Sequence, residues 1–429
     1  MKYKYILVSF TALLVFAISS FGQNPQIKSD TPYTIITNPG EDASVVMRIN
    51  WHSDIDYKNN YCIYTEATDT NWNNSIKVKA KHIFSDVFNG LYSKTPDNKD
   101  IYEEAIFYRC LVKLKHLLPN TKYMYRVGDK ELSEVHYFKT APISGVTNIG
   151  IISDFHTYTP LPNRLISAMN MIKTMEKENG KDLDFILHAG DICAWGGSYS
   201  TWPYLYAEEA FNKYMWAGVN GNHDNMDRTG KRLSNEYFRQ VNNNPLNGYK
   251  GEKGVCYHFT YNNSLFIMLN NENMRTAEGL EKAQKWVKKV IKNNPAKYII
   301  VVEHYQWFFG HNGKTSQFER WNKLFDEYGV DLAIAGNNHI YARTNAIFDN
   351  KETDGSKGTV YLQTTSADNG RGRVLEEWTG NKDLIKYRWT EGPKTISGII
   401  MTIDETRIKF TLYDRNGKTI DSGIVKAKR

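Results

Sequence analysis

Cysteine is scarce in this chain, with 4 among 429 residues. Cys62, Cys110, Cys193 and Cys256 have spacings that match no zinc cluster, which excludes a thiolate metal site. Charge of one sign is also lacking: the formal balance is +7, and removing Lys2 and Lys4 with a leader lowers it by two. The lysines are scattered, and Lys285, Lys288, Lys289 and Lys292 on one predicted helix read as a solvated face. No nucleic-acid partner is therefore expected. Beyond the first residues no run is long or apolar enough to span a membrane. Proline is sparse as well, with 12 residues, and they punctuate turns and domain ends.

What is present is an export leader and a large soluble body. Residues 1–22 carry Lys2 and Lys4, then an apolar core from Ile6 to Ile18, then small residues up to Gly22. That is the pattern of a cleavable signal peptide, and no Cys follows it to accept a lipid. The protein is thus expected to be exported, to the periplasm or beyond, with no membrane span after cleavage. A length of 429 residues exceeds one ordinary core and implies two domains. An aromatic content of 13%, with 28 Tyr, suits a β-rich chain.

Residues 32–142 read as short strands separated by polar turns. Val45 to Trp51 and Tyr108 to Leu114 alternate apolar and polar residues, Tyr61 to Tyr64 is a further strand, and Leu118 to Thr121 is a turn before Tyr123 to Val127. Strands without helical period predict a β-sandwich. Cys62 and Cys110 fall in strands of this domain, so a disulfide between them is left open. His52, His82, His116 and His136 share no metal spacing and read as structural or surface residues.

Residues 147–429 change pattern. Asn148 to Ser153 is a strand, Leu165 to Lys177 is helical in period, and Asp184 to Ala189 is a strand again, so the domain begins as a parallel α/β fold. Further helices are predicted over Tyr204 to Met215, Ala277 to Asn293 and Phe318 to Tyr328. Strands are predicted over Val255 to Tyr261, Leu265 to Asn270, Tyr298 to Val302, Asp331 to Ala335, Val360 to Thr364, Gly398 to Ile403 and Arg407 to Tyr413. Asn416-Gly417 turns into a last strand from Ile420 to Val425.

In open α/β sheets, sites lie beyond the carboxyl ends of strands. Asp154 and His156 follow the first strand, Asp191 the second, His304 the strand Tyr298 to Val302, and Asn337 and His339 the strand Asp331 to Ala335. Between them stands Gly221-Asn222-His223-Asp224, offering an amide oxygen and an imidazole side by side. Asn222 would be a hard neutral ligand. His188 and His258 lie inside strands and read as core histidines.

This ordered set resembles the calcineurin-like metallophosphoesterases, the superfamily that includes the purple acid phosphatases. The stretch Leu118 to Val127 with Phe138 to Pro142 resembles a fibronectin type III domain, which those phosphatases often carry in this position. The resemblance implies an α/β/β/α metallophosphoesterase sandwich behind an all-β fibronectin type III-like sandwich. It implies two metal ions, Fe, Mn or Zn, bridged by Asp191. Asp154, His156, Asp191 and His339 would hold the first, and Asp191, Asn222, His304 and Asn337 the second. A hydroxide between them would attack phosphorus in line. His223 would contact the phosphate or protonate the leaving oxygen, while Asp224 reads as a structural member of its loop.

Two departures stand out. The purple enzymes place a tyrosinate ligand three residues after the bridging aspartate, where this chain has Ala194, so no tyrosinate-to-iron colour is expected. The family's Gly-His-x-His is here Gly336-Asn337-Asn338-His339, and amide oxygen is a poorer ligand than imidazole for zinc-like ions. The second site is expected to be weak, with His311 a candidate to compensate and Arg343 a candidate substrate contact or a strand-end packing residue. The leading expectation is an exported phosphoesterase acting on a small phosphorylated substrate, a monoester in preference to a diester. The alternatives are a weakened or inactive scaffold acting as a surface binding protein, and a hydrolase of carboxyl or sulfate esters.

Overall fold

The computed structural model describes residues 31–429 apart from 57, 95–96, 98, 231–235, 311–315 and 381. The leader and His311 lie outside the described residues.

The first domain has eight strands: β1 (Tyr33–Pro39), β2 (Met47–Ser53), β3 (Tyr61–Glu66), β4 (Ile76–Lys79), β5 (Lys81–Lys94), β6 (Asp100–Leu114), β7 (Lys122–Gly128) and β8 (His136–Lys139). They pair into two antiparallel sheets, β1-β2-β6-β5 and β4-β3-β7-β8, the Greek-key division of a fibronectin-like sandwich. Cys62 and Cys110 sit in its core as free buried thiols, as are Cys193 and Cys256 in the second domain, so the bridge left open by the sequence is not formed.

Strand β6 serves two cores. Cys110, Val112 and Leu114 point into the sandwich, whereas Ala105 and Phe107 point into the core of the second domain. The inward residues change from odd to even positions, and a one-residue change of phase turns a strand's apolar set to the other face. The exchange places Phe107 against His52 and Tyr199 with ring centroids 4.0 and 4.8 Å apart. His52 is also bonded to the Tyr199 hydroxyl at 2.7 Å and the Gln240 carbonyl at 2.9 Å. Glu103 receives the Ser200 amide at 2.8 Å. The sandwich therefore braces the segment around Tyr199, a few residues past Asp191.

The second domain begins with β9 (Thr147–Ile152), α1 (Asn163–Asn179), β10 (Phe185–His188), α2 (Thr201–Tyr206), α3 (Glu209–Lys213), β11 (Trp216–Gly218) and α4 (Glu236–Val241). There follow β12 (Tyr257–Tyr261), β13 (Ser264–Met268), α5 (Ala277–Asn293), β14 (Tyr298–Val302), α6 (Phe318–Tyr328), β15 (Leu332–Ala335), β16 (Tyr341–Arg343) and a small hairpin of β17 (Ile347–Phe348) and β18 (Lys351–Glu352). The chain ends with β19 (Val360–Gln363), β20 (Tyr387–Trp389), β21 (Ser397–Ile403), β22 (Arg407–Asp414) and β23 (Thr419–Lys426).

Two sheets result, β11-β10-β9-β21-β22-β23 and β12-β13-β14-β15-β19-β16-β20. Their inner faces meet through Ile149, Ile151 and Leu187 on one side and Phe266, Ile300 and Ile334 on the other. Helix α1 covers the outer face of the first sheet, and α5 and α6 cover that of the second, giving an α/β/β/α sandwich. Burial on both sides explains why Tyr298–Val302 and Leu332–Ala335 read as unbroken apolar runs. Strands β9, β10 and β11 run parallel, as do β13, β14, β15 and β19. Their carboxyl ends therefore open at a common edge.

The helix expected over Tyr204 to Met215 is instead two short helices and a strand. Glu208 and Tyr214 are extended, and Trp216 pairs with Ile186 in the first sheet. The apolar spacing that suggested one helix comes from Leu205 and Phe211 packing into the same core from separate helices, with Trp216 stacked 4.0 Å from Phe211.

Candidate metal centre

Five site residues leave their strands through left-handed backbone: Asp154 (φ 54°), His156 (φ 42°), Asp191 (φ 51°), Asn337 (φ 68°) and His339 (φ 60°). Such conformations persist in non-glycine residues only where the surroundings enforce them, and they concentrate at functional sites. The turns bring backbone close to side chain. A methyl on Gly221 would lie 2.0 Å from Asp191 Oδ1, and one on Gly190 2.5 Å from His304 Nδ1.

The side chains converge on two carboxylates. His156 Nε2 is 3.4 Å and His304 Nε2 3.2 Å from the same oxygen, Asp191 Oδ2. His339 Nε2 is 3.3 Å from Asp154 Oδ1. Three sets of ligand atoms lie within 4.8 Å of one another: Asp154, His156 and His339; Asp154, Asp191 and His304; His156, Asp191 and His223.

The outward nitrogens are fixed. His304 Nδ1 donates to the Ala189 carbonyl at 2.7 Å, and His339 Nδ1 to the Arg371 carbonyl at 2.6 Å. His156 Nδ1 donates to the Asp154 carbonyl at 2.9 Å and lies 3.1 Å from Asp368 Oδ2. Each ring thus turns Nε2 inward. His156 Nε2 and His304 Nε2 are buried without a hydrogen-bond partner. Buried polar atoms are rarely left so, and imidazole nitrogens gathered on one carboxylate are what a cation requires once they are deprotonated. The donor set therefore fits metal ions.

Electrostatics agree. Burial would raise the Asp191 carboxyl, but His304, His223 and His156 outweigh it and hold it well below the usual range. Burial would lower His304, yet the Asp191 and Asp154 carboxylates raise it to about 10. His156 is raised in the same way, by Asp191 and Asp368 against burial. His223 goes the other way: burial dominates and brings it down to about 4.

The remaining residues fall as follows. His223 donates its backbone amide to Asp191 Oδ1 at 2.8 Å and Nδ1 to the Ala194 carbonyl at 2.7 Å. Asn222 immediately precedes it and begins a single 3-10 turn. Asp224 accepts the amides of Cys193 at 2.9 Å and Gly221 at 2.8 Å, which makes it the tie between the two loops. The Asn337 amide faces both Asp154 oxygens, at 3.2 and 3.1 Å, while its side-chain nitrogen donates to Gln306 Oε1 at 2.5 Å. Arg343 grips Asp421 through Nε at 2.5 Å and Nη2 at 3.0 Å, so it is a packing residue. His188 is a buried core histidine beside Trp216 and Phe238, as expected. His258 is half-buried against Trp286.

Two supports escaped the sequence reading. Asn271 Oδ1 accepts the amides of His304 at 2.7 Å and Tyr305 at 2.8 Å, and its nitrogen bonds Glu303 at 2.8 Å. The loop after β19 is the other: Ser366 Oγ donates to the Asp154 carbonyl at 2.8 Å, Asp368 meets His156, and Arg371 meets His339 and His223. The signal was present. Val360 to Thr364 reads as a buried strand, and a polar run with Asp368 and Arg371 follows its carboxyl end.

Comparison with known proteins finds the same resemblance in both domains. Residues 147–341 match the family model for calcineurin-like phosphoesterase, and residues 32–140 that for the purple acid phosphatase N-terminal domain. The second domain is thus similar to the calcineurin-like phosphoesterases, over a little under half of the chain. The chain is similar to purple acid phosphatase 15 of Arabidopsis thaliana, 23% identical over 62% of this chain and 54% of that protein. A second Arabidopsis relative, named probable inactive purple acid phosphatase 1, is 24% identical over 58% of this chain and 47% of its own length. The chain spans about half the length of these relatives. In fold it resembles the purple acid phosphatase PPD1 of yellow lupin seeds, with a TM-score of 0.70 and 17% identity over 93% of this chain and 75% of that one. The family binds a dinuclear metal centre, and the groups around Asp154 and Asp191 are candidates to hold it.

Proposed function

We propose that this protein hydrolyses phosphate esters, phosphomonoesters in preference to diesters, at a centre bridged by Asp191. The observation that carries the reading is the convergence of two buried imidazole nitrogens on Asp191 Oδ2. Asp154, His156, Asp191 and His339 would hold one ion; Asp191, Asn222, His304 and Asn337 the other. When bound, Fe, Mn or Zn ions would supply a nucleophilic hydroxide near neutral pH and neutralise phosphoryl charge.

The chain's own residues do the rest. Asp191 lies between the two candidate ligand groups, with Oδ2 close to both His156 and His304, and would hold both ions. His223, held through Nδ1 by the Ala194 carbonyl and lying next to Asn222, has Nε2 3.3 Å from Arg371 Nη2. With its pKa near 4 in the metal-free protein it is neutral, and Nε2 is an acceptor. As an acceptor it takes a hydrogen bond from Arg371 Nη2, and it would contact a phosphoryl group only through a protonated oxygen. Export is part of the same proposal and rests on the leader-like sequence of residues 1–22. Among the described residues no helix is long and apolar enough to cross a membrane.

The test is a panel of phosphomonoesters, phosphodiesters, sulfate esters and acyl esters offered to metal-loaded protein. Phosphate release from monoesters is expected, and Asp191→Asn should abolish it together with metal binding. Turnover confined to sulfate or acyl esters would overturn the proposal.

A second reading is favoured by one observation: the side-chain nitrogen of Asn337 is engaged by Gln306, where the family carries a ligand imidazole. On that reading the scaffold binds a phosphorylated ligand and turns it over slowly or not at all.

A further inference from the structure

One short loop touches four members of the site, and its final residue is a cation that no acid neutralises. The Arg371 carbonyl receives His339 Nδ1 at 2.6 Å. The Arg371 amide donates to Asp368 Oδ1 at 2.9 Å, and the other oxygen of Asp368 lies 3.1 Å from His156 Nδ1. The backbone of Arg371 is thus pinned from two sides to the rings of the metal centre. Its side chain is half-buried, with Nη2 3.3 Å from His223 Nε2. Among the described residues Arg371 forms no ion pair, although Asp154, Asp191 and Asp368 are in the same site. The neighbouring cation Arg164 is directed elsewhere, with Nη1 on the His156 carbonyl at 3.4 Å.

A half-buried guanidinium without a carboxylate, held beside the His223 imidazole, is poised for an anionic ligand. It has five N–H donors in a fixed fork that matches two oxygens of one phosphate, and one donor is directed at His223. We propose that Arg371 binds the phosphoryl group of the substrate and makes the site selective for phosphomonoester dianions. A monoester carries three terminal oxygens and close to two charges, whereas a diester carries two oxygens and one charge. A fixed cation added to a metal centre therefore favours the monoester, through both charge and the count of acceptors. Lys would not substitute fully, because an ammonium lacks the planar fork. The proposal rests on the phosphoesterase reading above.

The experiment uses the full chain loaded with metal, as wild type, Arg371→Met and Arg371→Lys, with metal content and thermal unfolding verified for each. Inorganic phosphate binding is measured by calorimetry, and KM is measured for an aryl phosphomonoester and an aryl phosphodiester. Arg371→Met should weaken phosphate binding and raise the monoester KM by about 10- to 100-fold, with the diester KM changed by less than about threefold. Arg371→Lys should recover part of the loss. Wild-type phosphate affinity in Arg371→Met, with metal retained, would overturn the proposal, as would equal losses for monoester and diester. If wild type binds phosphate through Arg371 but cleaves no ester, the hydrolytic reading fails and the Arg371 contact stands. If wild type binds no phosphate, both fall.

Discussion

Replacing Asp368 with Asn isolates what a residue outside the ligand set does for the metal. Asp368 Oδ1 accepts the amides of Gly370 at 3.0 Å and Arg371 at 2.9 Å. The substituted amide must therefore keep its oxygen at that position and turn its NH2 towards His156. His156 Nδ1 also carries a hydrogen, since it donates to the Asp154 carbonyl at 2.9 Å. Donor then faces donor at a separation of 3.1 Å, inside a site where His156 is fully buried. Loss of such a partner to a ligand histidine typically weakens metal binding by about 10- to 100-fold, which is ~1.4–2.7 kcal/mol. Because the Asp154 carbonyl still holds the ring, the effect should lie in the lower half of that range.

The defect should also depend on pH. Asp368 helps Asp191 raise His156 against burial in the metal-free protein. Removing that carboxylate makes His156 easier to deprotonate and so reduces proton competition with metal. The affinity loss should be largest at high pH and shrink as pH falls. Competition against a chelator at pH 6 and pH 8.5 measures both quantities. Wild-type affinity at pH 8.5, or a defect that grows towards pH 6, would refute this account of Asp368.

Asn337→His should tighten the weaker metal and raise turnover of a phosphomonoester, as followed by metal titration and initial rates; no change in either would remove Asn337 from the ligand set. Metal loading at neutral pH should release at least one proton, because His304 is held at about 10 and must be neutral to coordinate; calorimetry in buffers of different ionisation enthalpy reads this. The same shift contributes stability to the metal-free protein that is fully present below about pH 6.5 and is lost as pH rises through His304's own pKa. A methyl on Gly218 would lie 1.8 Å from His188 Nε2 across paired strands, so Gly218→Ala should cost about 1–3 kcal/mol in thermal unfolding while leaving the ligands in place.

Much of the second domain was legible because parallel strands buried on both faces write unbroken apolar runs. Ala277–Asn293 and Phe318–Tyr328 coincide with the predicted helices, and every ligand candidate except Asn222 follows such a strand. What escaped the sequence has a common cause. Strand β21 pairs with β9 across more than two hundred residues, and no local pattern specifies a partner so remote. The phase change in β6 shows as alternation on either side of Phe107, but nothing in it indicates that two different cores are being served. Asp368 and Arg371 act through a ligand's far nitrogen or carbonyl contact, and residues of that kind carry no spacing motif of their own. The Tyr204–Met215 region misled because two helices packed in one core imitate the period of one.

The central claim is that Asp191 joins two metal positions. Metal content per chain, measured by elemental analysis on wild type and Asp191→Asn purified without chelator and saturated in parallel, tests it most directly. The account predicts about two equivalents in wild type, the second removed more easily than the first, and loss of both in the variant. Metal-free wild type under saturating conditions, or an Asp191→Asn protein that keeps its full complement, would contradict it.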